Sequence, residues 1–215
     1  MNAMLNRNLG IAGAACAAAL VAGACALVEP RAEGPTIPPI GSSWSQKQTN
    51  SGSFGKGTRT VSFKVTGDRE WQGRKVRALD TGAMTFLMES TANKWVTWLA
   101  KGKPILSWDP PVGYDYPMYV GKKWTTKHQF TMHAAKRTVP LEVNFDIEAH
   151  ESVTAPAGTF DTFRIRASDN LGTESVTWYS PEIGLFIKRV VTRTAKHPAG
   201  PGRQEQELLT QTIRK

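Results

Sequence analysis

From Gly41 onward no stretch of this chain keeps a 3.6-residue apolar period over three or four turns; short runs of alternating apolar and polar residues recur instead between turn residues. That pattern excludes a helical fold and calls for half-buried strands. In LEVNFDIE (141–148), Leu141, Val143, Phe145 and Ile147 share one face while Glu142, Asn144, Asp146 and Glu148 share the other, because strand side chains alternate. In KWTTKHQFTMH (123–133), Trp124, Phe130 and Met132 share a face with Thr126 and His128, which predicts a partly buried strand. The 13 prolines and 19 glycines favour short turns between such strands.

The alternating region also matches itself. IGSSWSQK (40–47) aligns with VGKKWTTK (120–127), and VTWL (96–99) with VTWY (176–179), both at a spacing of 80 residues. Between these anchors VSFKV (61–65) matches VNFDI (143–147) with a two-residue slip. The expected fold is therefore all-β: an antiparallel barrel or sandwich built from two repeated meanders of about 80 residues, 41–119 and 120–215, each of five or six strands. Closing the two together removes the exposed edges that invite aggregation.

Ahead of this domain stands a leader. Arg7 supplies a positive start, and Asn8 to Val28 carries no charge, which predicts a signal peptide over residues 1–26. Both cysteines, Cys16 and Cys25, fall within it, so a cleaved domain has no thiol for disulfides or nucleophilic work. The run Leu20-Val21-Ala22-Gly23-Ala24-Cys25 resembles a lipobox with Ala22 where leucine is usual, making Cys25 the candidate lipidation site; small-x-small cleavage by ordinary signal peptidase is the alternative. Residues 27–40, LVEPRAEGPTIPPI, hold four prolines and no periodicity, and read as an extended tether.

In the second half, ESVTAPAGTFDTFRIRA (151–167) followed by TWYSPEIGLFIKR (177–189) resembles uncharacterised exported bacterial proteins of the DUF3108-like kind, with Ala155 where that pattern usually has valine. NSGSFG (50–55) and WDPPVGYDYPMYVGKKW (108–124) are similar to longer members. The resemblance implies an antiparallel β fold and an envelope address, and brings no established activity. Read from the residues alone, Pro156 and Gly158 build a tight turn, Phe160 and Phe163 then enter the core, and Gly184 breaks the chain between strands after Pro181.

No GxSxG elbow and no HExxH occurs. On one strand His128 and His133 would face opposite sides and cannot chelate as neighbours, so neither a metal site nor a cofactor is expected. GSFGKGT (52–58) lacks phosphate-loop spacing and reads as a glycine-rich hairpin turn or mobile loop. Asp109, Asp115, Glu148 and Glu151 are the acids a glycan hydrolase would have to pair, and their positions suit a surface. The formal charge of +9 favours anionic surfaces, but its basic residues are scattered and an exported chain does not meet nucleic acid.

Aromatic residues are the remaining candidates. Trp95, Trp98, Trp108, Tyr114, Tyr116, Tyr119 and Trp124 crowd into thirty positions around WDPPVGYDYP, read as a stiff loop. Exposed, they would form a ligand platform; buried, they would cover the barrel end. The expected function is a non-catalytic binding or assembly module whose partner is an envelope lipid, glycan or protein, located in the periplasm or anchored through Cys25 to the outer membrane. The alternatives are a carrier holding an apolar or lipid ligand inside a barrel, and a glycan-active hydrolase.

Overall fold

The alternation seen in the sequence resolves into fourteen strands, in a computed structural model that describes residues 29–214. They are β1 (Arg31–Ala32), β2 (Ser43–Gly52), β3 (Gly57–Trp71), β4 (Arg74–Asp80), β5 (Met84–Glu89), β6 (Lys94–Ala100), β7 (Lys103–Gly113), β8 (Met118–Tyr119), β9 (Lys123–Met132), β10 (Arg137–Ala155), β11 (Gly158–Asp169), β12 (Thr173–Ser180), β13 (Leu185–Arg193) and β14 (Gly202–Thr212). Twelve of them form one closed barrel in sequence order, β2 to β7 and β9 to β14, every neighbouring pair antiparallel. The last joint is β14 on β2, running from Gly202 opposite Gly52 to Thr212 opposite Ser43. The remaining pair, β1 and β8, is a two-stranded ribbon outside the barrel wall. Of the two expected architectures, the barrel is the one formed. The signal peptide and Cys25 lie outside the described residues.

Six barrel strands fall in each half of the chain. The first strands match closely. Trp44 on β2 lies opposite Phe63 on β3 with rings stacked at 5.4 Å and 10°, and Trp124 on β9 lies opposite Phe145 on β10 with rings stacked at 4.7 Å and 8°. Gly41 and Gly121 precede them, both at φ 88°, donating to Val65 O at 2.9 Å and Ile147 O at 2.8 Å respectively. The second pair of anchors does not correspond. Trp98 is on the fifth barrel strand of its half and faces the interior, whereas Trp178 is on the fourth and bonds outward to Glu151 at 2.7 Å.

One end of the barrel is capped. The long β10–β11 hairpin overreaches its neighbours, and β10 touches β13 and β14, three and four places away round the wall. Around its tip, Pro156–Ala157, the hairpin packs Val153, Ala155, Ala157 and Phe160 with Trp44, Leu185, Ile187 and Leu208. The turn read from sequence as a chain reversal therefore also seals the barrel. Residues 31–40, expected as a tether, lie across the same end as a strap. Arg31 pairs with Tyr119 and Ala32 with Met118, the Thr36 carbonyl rests on Gly184, and the Pro38 carbonyl accepts from Arg77 Nη1 at 3.1 Å. Pro38 is buried. A proline-rich segment has little ordering entropy to lose, so these few contacts suffice to hold it.

WDPPVGYDYP is also more regular than expected. Trp108 to Gly113 continue β7, with Trp108 and Asp109 opposite Phe130 and Gln129 of β9, while the β6 register skips from Ser107 to Val112. Pro110 and Pro111 occupy that bulge, where no ladder N–H is required. GSFGKGT forms the β2–β3 hairpin, with its turn at residues 53–56.

Candidate functional site

Twelve strands enclose more space than inward side chains fill, since barrel bore grows with strand number and eight strands already leave only enough room for side chains. The interior holds a cavity of about 560 Å³, within the usual range of small-molecule sites. Two sides of it differ sharply. Trp95, Trp98, Trp108, Phe130, Phe145 and Ile165 make an apolar side, and its rings are joined edge-on or stacked: Trp95 to Trp98 at 6.3 Å, Trp98 to Trp108 at 5.4 Å, Trp108 to Phe130 at 5.4 Å. Gln46, Gln48, Arg59, Arg189, Arg193 and Gln204 make a polar side on β2, β3, β13 and β14.

The seven aromatic candidates divide. Trp95, Trp98, Trp108 and Tyr114 line the cavity. Neither an exposed platform nor an end cover describes these four, because the barrel closes around them. Tyr116 belongs to the capped end, sharing a hydrogen bond with Tyr179 Oη at 3.1 Å, to which Asn93 Nδ2 also donates at 3.2 Å. Trp124 stacks on Phe145 on the inward face of β9, and Tyr119 stands outside, under the Arg31 guanidinium at 5.3 Å. Sequence reasoning missed the polar side. Its signal was the inward parity of β2, where Trp44 is followed at alternate positions by Gln46, Gln48 and Asn50 rather than by apolar residues.

Burial pushes the phenols at this end up. Desolvation raises Tyr116, Tyr179 and Tyr114; neighbouring tyrosines push Tyr116 further, hydrogen bonds from Tyr116 and Asn93 oppose the shift at Tyr179, and the Arg189 charge opposes it at Tyr114. A raised phenol stabilises the fold below the ordinary tyrosine range, and that stability is lost as pH rises through about 10 toward the folded values, because only the unfolded chain can then ionise. Alkaline titration should therefore show the tyrosinate absorbance of these three residues appearing together with loss of the β-sheet circular dichroism. Ionisation of these three phenols in a fully folded barrel would contradict the assignment.

The acids a hydrolase would pair are engaged by other side chains away from the cavity. Glu148 accepts from Arg164 Nε at 3.1 Å and Arg166 Nε at 2.5 Å, Glu151 from Trp178, Asp109 from Arg74 Nη2 at 2.9 Å, and Asp115 pairs with Lys122 at 3.5 Å. None of the four lines the cavity. His128 is buried between Pro110 O at 2.7 Å and Thr126 Oγ1 at 2.8 Å, and His133 meets Ser107 Oγ at 2.9 Å.

The described residues thus define a hollow, end-capped antiparallel barrel with an amphipathic interior. No family model matches the chain, including any for the DUF3108-like proteins that residues 151–189 resemble, and no curated protein matches it in sequence. Among solved structures it is similar to a Bacteroides fragilis protein with a YmcC-like fold, at 13% identity and TM-score 0.47 over 84% of this chain and 99% of that one. It is similar also to the hypothetical lipoprotein YmcC of Escherichia coli, at 8% identity and TM-score 0.44 over 81% and 87%. A third is a candidate lipoprotein of Parabacteroides distasonis, at 11% identity and TM-score 0.41 over 84% and 99%.

Proposed function

We propose that this chain is an exported cell-envelope binding protein whose barrel carries a ligand with an apolar chain. The observation that supports this reading best is the cavity of about 560 Å³ with its tryptophan-lined side. A space of that size with an apolar surface gains affinity from chain burial at roughly 25 cal/mol per Å² before ordering costs. Of the functions considered from sequence, the carrier now leads the general binding or assembly module, and the hydrolase has no acids at the cavity to work with among the four considered. The envelope address rests on the leader over residues 1–26, with Cys25 as the lipid anchor and the periplasm as the compartment of the barrel.

Native mass spectrometry of the mature domain purified gently from its own envelope tests the carrier reading. A non-covalent mass increment that organic extraction removes is the expected result; a domain that stays empty through every mild extraction, and takes up no acyl compound afterwards, overturns it. Metabolic labelling with radioactive palmitate tests the anchor. Label should enter the wild-type chain and be lost in Cys25→Ser, and equal labelling of both would end the lipoprotein assignment.

A further inference from the structure

The polar side of the cavity is ordered. Arg189 on β13 lies opposite Gln206 on β14, Gln206 opposite Gln48 on β2, and Gln48 opposite Arg59 on β3. Side chains of directly opposed residues share a face, so these four form one transverse row, with a guanidinium at each end and two amides between. Four residues further along β13, toward the β2–β3 turn, Arg193 adds a third guanidinium, its Nη1 on Ser53 O at 3.1 Å and its head over the Phe54 ring at 3.9 Å. Phe54, Arg59, Arg193 and His197 stand together at the end of the cavity away from the cap.

Charges withdrawn from water inside a barrel are normally paired, because desolvation otherwise penalises them. Arg189 and Arg193 are partly buried, whereas Arg59 is exposed and donates through Nε and Nη2 to Gln48 Oε1 at 3.4 and 3.3 Å. Among the described residues, no carboxylate forms an ion pair with Arg59, Arg189 or Arg193; each salt bridge involves other residues. The acid lining the cavity, Asp169, is occupied by the backbone N–H groups of Leu171 at 3.0 Å and Thr173 at 2.8 Å. Arg189 Nε, Gln46 Oε1 and Gln206 Oε1 are buried without hydrogen-bond partners. Arg77, the fourth arginine at the cavity, differs in having both nitrogens of its fork on Asp68, at 2.7 and 3.0 Å. Burial holds Arg193 below the ordinary arginine range, as expected of a cation kept without a counter-charge.

We infer that the ligand is an amphipathic anion, its acyl chain against the tryptophans and its carboxylate or phosphate head on Arg189, Arg193 and Arg59. This rests on the carrier reading and specifies its ligand class. A guanidinium offers a planar fork of donors that matches such heads, and the Gln206 amide can donate its N–H to a remaining oxygen, Gln48 being engaged by Arg59 and Asn50. Neutral or cationic heads would leave Arg189 and Arg193 without a counter-charge.

The test compares three amphiphiles with the same sixteen-carbon chain, hexadecanoate, hexadecanol and hexadecyltrimethylammonium, displacing a fluorescent apolar probe from the wild-type domain and from Arg189→Gln/Arg193→Gln. A parallel series with hexadecyl phosphate distinguishes carboxylate from phosphate heads. The anions should bind about tenfold or more tightly than hexadecanol, as charge-assisted hydrogen bonds require, and the cation more weakly still. In the double variant that preference should vanish while hexadecanol affinity is retained, which also certifies that the variant is folded. Equal affinity for anions and hexadecanol, or an anion preference unchanged in the variant, would overturn the inference and leave the carrier reading standing. Failure of all the compounds to bind the wild type would overturn both.

Discussion

Replacing Phe163 with alanine is expected to lower the stability of the domain by about 3–5 kcal/mol, a fall of roughly 10 °C in Tm for a domain of this size. Phe163 is 1% exposed. It lies opposite His150 on one neighbouring strand and Tyr179 on the other, with its ring edge-on to the His150 imidazole at 4.9 Å, and belongs to the cluster of Met118, Leu141, Val143, Phe145, Ile147, Ile165 and Tyr179. Both flanking strands are fixed by ladder hydrogen bonds, so the wall cannot collapse into the vacated space and most of the lost contact remains as a void. Chemical denaturation measures the loss. Val120, 41% exposed in a turn, supplies the contrast, since Val120→Ala should change stability by no more than about 0.5 kcal/mol. A Phe163→Ala loss as small as that would show that this cluster is not the core.

Gly184→Val should release the strap without dissolving the barrel. Gly184 sits at φ 70° in the β12–β13 turn, and a Cβ there would run into the Thr36 carbonyl oxygen, with Pro38 Cδ at 3.2 Å. A β-branched residue in left-handed conformation costs about 1–3 kcal/mol before any clash is counted. That strain stays in the turn whether or not the strap is docked, but the clash exists only in the closed state. The strap's purchase on the barrel is a handful of contacts, so the clash displaces it. Limited proteolysis within residues 31–40 should then accelerate about tenfold or more, as cleavage follows the population of the opened segment, while far-ultraviolet circular dichroism stays that of the wild type. Unchanged cleavage would place the strap's hold elsewhere, on Arg77 and the β1–β8 ribbon.

How much of this was legible follows from what each feature depends on. The inward sets of β9 and β10 were readable because a two-residue period needs no knowledge of partners: Leu141, Val143, Phe145 and Ile147 are all buried, and His128 joins them. The Trp44 and Trp124 match pointed to equivalent first strands, whereas the Trp98 and Trp178 match did not, because similar tetrapeptides carry no record of which face they present. The hollow interior was not legible from inward side chains. A list of inward residues does not say whether they meet across the interior, because bore is set by strand number and tilt, quantities that no single strand reveals. The strap was hidden for a related reason: proline-rich composition fixes local conformation and says nothing about the surface on which it lies. The polar row was hidden more deeply, since Arg189, Gln206, Gln48 and Arg59 meet only through the registers of three separate strand pairs.

Whether an acyl chain enters the barrel is reported directly by the interior tryptophans. Four of the seven, Trp44, Trp95, Trp98 and Trp108, line the cavity. Titrating the domain with a fatty acid dibrominated in mid-chain should quench tryptophan emission saturably. Excess unbrominated acid should reverse the quenching, and Ala167→Phe, which places a ring at the cavity wall beside Ile165, should weaken it. Emission that remains unchanged, or that falls only in linear proportion to added quencher in wild type and variant alike, would contradict the claim that this barrel is built to hold a chain.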